Sequence, residues 1–250
     1  MRTSRYITTK AYILEYKTIR EIDRNFIFIS PDIGINSATA FGAEKLKSRF
    51  CPVIQPFVKA TLFLNRNPKN NLFKLDDIAD ADCNDFLKKD IKLIYLVSFY
   101  NEILLNSYLE SNEFKSYFYL LDYSIEILKE SNDIIKSFLF FVIKFIYLNG
   151  YRFNLESCNN CKNSNNFYFF DLKNGGIFCE NCATDKNIII SDYSVSIFNK
   201  FFDKKFIEIK DMDFNRDIIY EFIILFKKIL INIFGKELKT FKNFDIIFKK

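Results

Sequence analysis

Four cysteines carry the chemistry most plainly written in this chain. Cys158 and Cys161 are separated by two residues, as are Cys179 and Cys182, and seventeen residues lie between the pairs. Two residues between thiolates let both sulfurs of a pair reach one ion in a tight knuckle. Seventeen residues suit a hairpin that returns the second knuckle to the first. Residues 167–172 and 177–178 read as its arms, and Gly175-Gly176 as its turn. Four thiolates fill a tetrahedral shell, so the expected cofactor is one structural Zn2+ with no open catalytic position. A redox Cys-x-x-Cys ordinarily stands alone at the start of a helix, and two matched pairs argue against that use. Cys51 and Cys83 stand apart and read as small buried hydrophobes.

The sequence contains no histidine. That excludes Ser-His-Asp and Cys-His nucleophile systems, histidine general bases and histidine metal ligands. No catalytic residues are assigned, and the chain reads as a non-enzyme. A second chemical feature is Gly42-Ala43-Glu44-Lys45-Leu46-Lys47-Ser48-Arg49. If this segment is extended, its alternation places Lys45, Lys47 and Arg49 on one side, where they can follow phosphates. Lys47-Ser48 lacks the upstream glycines of a nucleotide-triphosphate loop. The charge map agrees with a polyanionic partner. Residues 1–75 hold thirteen Lys or Arg against five Asp or Glu, a net +8, while residues 76–250 sum to −3. Arg5, Lys10 and Arg24 are further phosphate candidates. Tyr6, Tyr12, Tyr16 and Phe41 are candidates for base stacking, although most of the 31 Phe and 14 Tyr must be core.

These residues need two kinds of scaffold. Residues 1–80 carry β patterning: 6–16, 26–29, 34–41, 53–64 and 72–78 read as five short strands. Five strands in that length suit a small barrel of the OB type, with an SH3-like barrel open on periodicity alone. The predicted class is α+β: an N-terminal five-stranded OB-type β-barrel (1–80), then a helical domain (81–250) with an inserted zinc knuckle (156–190). Helical spacing marks 84–108, with Ile91, Ile94, Tyr95, Val97, Ser98 and Ile103 near one face. It returns over 114–129, from a cap at Ser131 or Asn132 to Gly150, over 191–202, and over 215–234 with a stop at Gly235. The start, Met1-Arg2-Thr3-Ser4-Arg5, leads into polar residues rather than a signal-peptide core. The apolar runs 134–148 and 218–234 are interrupted by lysines or glutamate, which suits buried helices better than membrane spans. The expected protein is soluble and cytoplasmic.

The order of several short motifs resembles the RecO family of bacterial recombination mediators over nearly the full length. Ala11-Tyr12-Ile13-Leu14 and Glu21-Ile22-Asp23-Arg24 look like the family's opening strand and Glu-x-Asp-Arg turn. The Gly42–Arg49 segment looks like its basic segment, and Gln55-Pro56-Phe57 follows at the family's spacing. Leu148-x-Gly150-Tyr151 precedes the first knuckle, Gly175-Gly176 the second, and Gly235-Lys236-Glu237-Leu238-Lys239-Thr240 resembles the C-terminal motif. Glu44 stands where the family commonly has a basic residue, so Glu44→Lys is expected to tighten polyanion binding. The resemblance implies binding of single- and double-stranded DNA, annealing of complementary strands, and loading of RecA onto strands coated by single-stranded DNA-binding protein, in the RecF pathway at the nucleoid. The implied partners are RecR and the acidic C-terminal tail of that coating protein, with RecA indirectly. The competing classes are a zinc-ribbon RNA-binding protein of transcription or translation, and an interaction scaffold that binds no nucleic acid.

Overall fold

A computed structural model describes residues 5–163, 167–172, 175–183 and 188–248, without the side chain of Lys210. The basic lead at residues 1–4 and parts of the 156–190 insertion (164–166, 173–174 and 184–187) lie outside the described residues. The chain divides into two compact units, residues 1–122 and 123–250.

The first unit is built on a closed barrel of five strands: β1 (Tyr6–Ile19), β2 (Asp23–Ser30), β3 (Gly34–Ala40), β4 (Lys59–Arg66) and β5 (Phe73–Asp82). Their order is β1-β2-β3-β5-β4, and β4 returns to pair with β1. This is the OB-type arrangement, and the SH3-like alternative is set aside. Fourteen residues allow β1 to serve two neighbours. Its first half pairs with β4 from Tyr6↔Asn65 to Tyr12↔Lys59, its second half with β2 from Tyr12↔Ile29 to Ile19↔Asp23. A register irregularity between Ile13 and Glu15 falls where the strand changes partner. The core follows the period of two: Phe26 and Phe28, Ala38 and Ala40, Ala60, Leu62 and Leu64, Phe73 and Leu75. Phe26 is paired with Ala38, so a large ring meets a small residue across the narrow barrel.

The fourth strand differs from its expected span. It begins at Lys59, not at residue 53, because Pro52 and Pro56 interrupt strand pairing and Phe57 takes a left-handed φ of 74°. The residues between β3 and β4 therefore form a connector of successive turns. After β5 the expected helix over 84–108 splits into a 3-10 turn, Asp85–Lys89, and α1 (Ile91–Leu105), because the Asp90 side chain caps the Lys92 N–H at 2.8 Å. The buried face of α1 keeps Val97 and Ile103 of the expected one but otherwise differs from it. Leu93, Leu96, Val97, Tyr100 and Leu104 face inward, while Ile91 is exposed, since a helix apolar nearly all round does not announce its inner face. α2 (Phe114–Ser131) begins in this unit. Within the unit, Asn101 Nδ2 donates to Leu14 O (2.8 Å), and Tyr12 Oη and Lys59 Nζ both donate to Asp122 Oδ1 (2.7 and 2.6 Å).

The second unit contains α3 (Ile134–Leu148), the sheet β6 (Phe167–Asp171), β7 (Gly176–Phe178) and β8 (Ile189–Ser191), then α4 (Asp192–Asp203), α5 (Phe206–Lys210), α6 (Ile219–Phe234) and α7 (Phe244–Phe248). Asp133, rather than Ser131 or Asn132, caps α3 by accepting from Lys136 N at 3.0 Å. Ten of the fifteen α3 residues are buried, which accounts for its apolar run. Rings fill the interior: Phe138 meets Phe226, Phe244 and Phe248 at centroid distances of 4.9–5.7 Å, and Phe198 meets Phe222 and Phe226. No described helix is long and apolar enough to cross a membrane.

Candidate metal centre and nucleic-acid interface

The candidate metal centre is assembled by local backbone pairing. Asn154 N donates to Gly175 O (3.1 Å), Ile177 N to Asn154 O (3.2 Å), and Asn159 N to Ile177 O (2.8 Å), which lays the first knuckle beside β7. Each knuckle then turns back on itself: Lys162 N donates to Cys158 O, and Cys182 N and Ala183 N donate to Cys179 O, each at 3.0 Å. Gly176 is required for that approach. A Cβ there would strike the Asn159 amide and lie 2.8 Å from Asn154 O.

The sulfurs of Cys158, Cys161, Cys179 and Cys182 all lie within 4.8 Å of one another. Those of Cys161 and Cys179 are 3.6 Å apart. A tetrahedron of zinc–thiolate bonds about 2.3 Å long has edges of about 3.8 Å, so the donor set fits one tetrahedral ion. Burial raises the Cys158 thiol, but backbone hydrogen bonds from Cys161, Cys179 and Asn160 outweigh it and bring it down to about 6. The Asn160 amide lowers the Cys182 thiol, but hydrogen bonding with Cys179 and the crowding of neighbouring thiols push it up to about 12. Four thiols so close cannot all ionise without a cation among them. Cys51 and Cys83, expected to be buried, are only half-buried.

The basic candidates lie in different settings. Lys45, Lys47 and Arg49 are exposed on the connector. The connector is not extended there: Lys45 N donates to Gly42 O (3.2 Å) and Ser48 N to Lys45 O (2.8 Å), so strand alternation is not what arranges the three. Arg49 pairs with Asp77 at 3.1 Å, with both side chains half exposed or more. Such a pair is weak and leaves Arg49 able to exchange Asp77 for a phosphate. Lys10 is exposed on β1 opposite Thr61. Arg24 is 4% exposed, with its guanidinium turned inward onto Glu44 at 2.7 Å. A side chain so enclosed has no edge for a phosphate, which corrects its candidacy.

Glu44 likewise has a role that its charge alone hides. The Arg24 guanidinium, and then the Thr18 hydroxyl, hold its carboxyl below the usual carboxylate range. Glu44→Lys would set an ammonium against a buried guanidinium. The expected outcome is therefore a lower melting temperature of the N-terminal unit and weaker polyanion binding, opposite to the expectation from charge. A thermal melt beside an oligonucleotide titration checks both.

Sequence reasoning missed a groove of about 720 Å³ on the barrel. It is lined by Arg5 just before β1, Arg20 in the turn after it, Thr39 and Phe41 at the end of β3, and residues around the β4–β5 turn that include Lys69, Leu72 and Lys74. Among the described residues none that lines it is acidic. Lys74 pairs with Asp76 at 3.1 Å, and Arg5 Nε donates to Asn65 Oδ1 at 3.2 Å. The Asn67 and Asn70 side chains accept from Lys69 N and Leu72 N and so hold the β4–β5 turn in shape. In OB barrels the turns after β1 and β4 flank the oligonucleotide site. That rule was the available signal; no linear motif unites residues 5, 20, 41 and 69. Of the four stacking candidates, Phe41 lines the groove at 46% exposure, and Tyr6 is exposed. Tyr12 is buried, with burial and then Asp122 raising its phenol far above the ordinary range, and Tyr16 lies over Arg24 with the guanidinium carbon 4.2 Å from its ring centre.

Arg20 and Glu21 both take left-handed φ, 50° and 64°, in the three-residue loop between Ile19 and Asp23, a conformation that favours Asn and Gly. Each such residue costs about 1 kcal/mol or more. Replacing Arg20-Glu21 by Asn-Gly is expected to stabilise the unit by about 1–2 kcal/mol. It should also weaken polyanion binding through loss of the Arg20 cation. Chemical denaturation and a binding titration on the same protein read the two opposed effects.

Comparison with known families and proteins adds an independent line. The model described as Recombination protein O N terminal matches residues 1–82, and that described as Recombination protein O C terminal matches residues 88–239. The chain is similar to the DNA repair protein RecO of Caldanaerobacter subterraneus subsp. tengcongensis, 28% identical over 179 residues that cover 71% of this chain and 72% of that one. It is also similar to the DNA repair protein RecO of Syntrophus aciditrophicus, 25% identical over 254 residues covering 99% and 98% of the two chains.

Proposed function

The chain belongs to the Recombination protein O family, and from that membership we propose that it acts as a DNA repair mediator. It binds single- and double-stranded DNA through the N-terminal barrel, anneals complementary strands, and helps load RecA onto strands coated by single-stranded DNA-binding protein. RecR and the acidic tail of the coating protein are its partners, in the cytoplasm at the nucleoid. Cys158, Cys161, Cys179 and Cys182 hold one structural Zn2+. The observation that carries the nucleic-acid reading is the groove with Arg5, Arg20, Lys69 and Lys74 on its walls, no acidic lining residue and Phe41 at its edge. Cations on a groove wall supply sequence-independent affinity for phosphates, and an exposed ring offers a stacking surface to any base. Lys45, Lys47 and Arg49 on the connector supply a second basic surface.

The protein performs this without turnover of its own. Four thiolates leave a zinc ion no position for substrate, and annealing needs only that two strands be held and their repulsion screened. The test mixes complementary oligonucleotides at low strand concentration without nucleotide. Acceleration in proportion to protein, unaffected by ATP, supports the proposal. No acceleration, or acceleration that requires ATP hydrolysis by the purified chain, contradicts it. A preference for RNA over DNA of the same sequence would move the protein to the RNA-binding class.

A further inference from the structure

The connector between β3 and β4, residues 41–58, carries Lys45, Lys47 and Arg49 yet contains no regular strand or helix. Something other than a backbone ladder must hold it in shape. All five N–H groups of Arg24 point into it or onto its first turn. Nε and Nη2 donate to the two carboxylate oxygens of Glu44 at 2.7 and 3.0 Å. Nη1 donates to Cys51 O at 2.8 Å and Ile54 O at 2.9 Å, and Nη2 also reaches Cys51 Sγ at 3.4 Å. The ring of Tyr16 covers the guanidinium, and the Thr18 hydroxyl donates to Glu44. One residue earlier, Asp23 Oδ1 accepts from Gly42 N at 2.7 Å, and Glu44 N donates to Ile22 O at 2.9 Å. Contacts at 42, 44, 51 and 54 thus bracket the basic residues on both sides.

We propose that Arg24 is the positioning residue of the basic connector: its guanidinium is the template on which residues 42–54 fold so that Lys45, Lys47 and Arg49 stand where nucleic acid can use them. Arg24 touches no nucleic acid itself. A planar fork with five donors can serve a carboxylate and two carbonyls at once, whereas a lysine ammonium has three donors and no plane. Glu44 completes the template, which is why an acidic residue sits inside a basic segment. The groove cations Arg5, Arg20, Lys69 and Lys74 make none of the Arg24 contacts, so their contribution to binding is separable from that of the connector. The inference rests on the nucleic-acid reading above for its consequence, but the folding of the connector is measurable without any ligand.

The test is Arg24→Lys in the full chain, read in two ways. Hydrogen exchange without nucleic acid is expected to show lost protection confined to residues 42–54, with β1, β2 and β4 still protected. A double-mutant cycle for single-strand binding supplies the second reading. In the wild type, Lys45→Ala with Lys47→Ala is expected to weaken binding by on the order of tenfold and lower the salt slope by about one to two. In Arg24→Lys the same pair should cost less than about threefold, because the two lysines are already misplaced, while Arg20→Ala costs the same in both backgrounds. Unchanged protection over 42–54, or additive effects for both pairs, overturns the proposal. So does an equal loss of the Arg20 contribution, which marks general damage to the barrel. Should Arg24→Lys not fold, Glu44→Gln, which keeps one acceptor, is taken through the same two measurements, with the same results expected and the same results overturning the proposal. If the wild type binds no nucleic acid, the functional reading fails, and hydrogen exchange still decides whether Arg24 templates the connector.

Discussion

Cys158→Ser is expected to strip the chain of its metal and to unfold the knuckle segment of the C-terminal unit. Cys158 is fully buried among the four sulfurs, and its backbone begins the first knuckle. A structural site of this kind contributes its binding free energy to folding, about 10–16 kcal/mol in isolated zinc peptides. Loss of one thiolate should forfeit at least about 3 kcal/mol of that. The sheet, in the order β7-β6-β8, is small and its strands are short, so the metal weighs heavily beside the few side chains it buries, Tyr168, Phe170, Ile177 and Ile190. Elemental analysis of the reduced wild type should give one zinc per chain, and that of the variant none, with a lower melting temperature. Cys51→Ser is the control and should keep the metal. Acid should also release the ion, since protons compete for the thiolates. Reduced wild-type protein without metal and with the same melt as the variant contradicts the assignment.

The second large effect concerns the two basic surfaces of the barrel. A variant with Arg20, Phe41 and Lys69 changed to Ala empties the groove walls while leaving the core pairs untouched, because all three side chains are exposed. Each phosphate contact released to salt contributes roughly fivefold at about 0.1 M ionic strength, and a lost stacking ring adds about 1–3 kcal/mol. Single-strand affinity should therefore fall by on the order of a hundredfold or more. A variant with Lys45, Lys47 and Arg49 changed to Ala should lose somewhat less, since Arg49 already has Asp77 as a partner. Both should keep the metal and the fold. A groove variant that binds as the wild type does, beside a connector variant that does not, would move the strand off the groove and onto the connector.

The parts of this protein legible in its sequence are those whose chemistry is local. The Cys-x-x-Cys pairs could be read because two residues and one ion fix a knuckle. Four strands could be read because Phe26 and Phe28, or Ala38 and Ala40, alternate inward. The fourth was misplaced because Val53 and Ile54 are apolar without joining the strand ladder, which the chain approaches only at Phe57 and Val58, and hydropathy does not distinguish a strand from an apolar loop folded over a barrel. Arg24 shows the larger gap. In the sequence it is one of thirteen basic residues in the first 75, and nothing local marks it as buried. Its acceptors lie 20 to 30 positions away at Glu44, Cys51 and Ile54. The Glu44 charge misled for the same reason: its sign was visible and its partner was not. The groove was illegible because its walls meet only when the barrel closes β4 onto β1.

The salt dependence of single-strand binding by the unmodified chain tests the barrel as a nucleic-acid-binding surface most directly. Groove and connector together offer seven cations, Arg5, Arg20, Lys69, Lys74, Lys45, Lys47 and Arg49. Contacts to single strands each contribute about 0.7 to the slope of log affinity against log salt. A titration of a fluorescent oligonucleotide across salt concentrations is predicted to give a slope near about −5, reduced in magnitude by about 1.4 on loss of the Arg20 and Lys69 cations in the groove variant. A slope near zero, or one that the groove variant leaves unchanged, contradicts the assignment of this barrel as the nucleic-acid-binding surface.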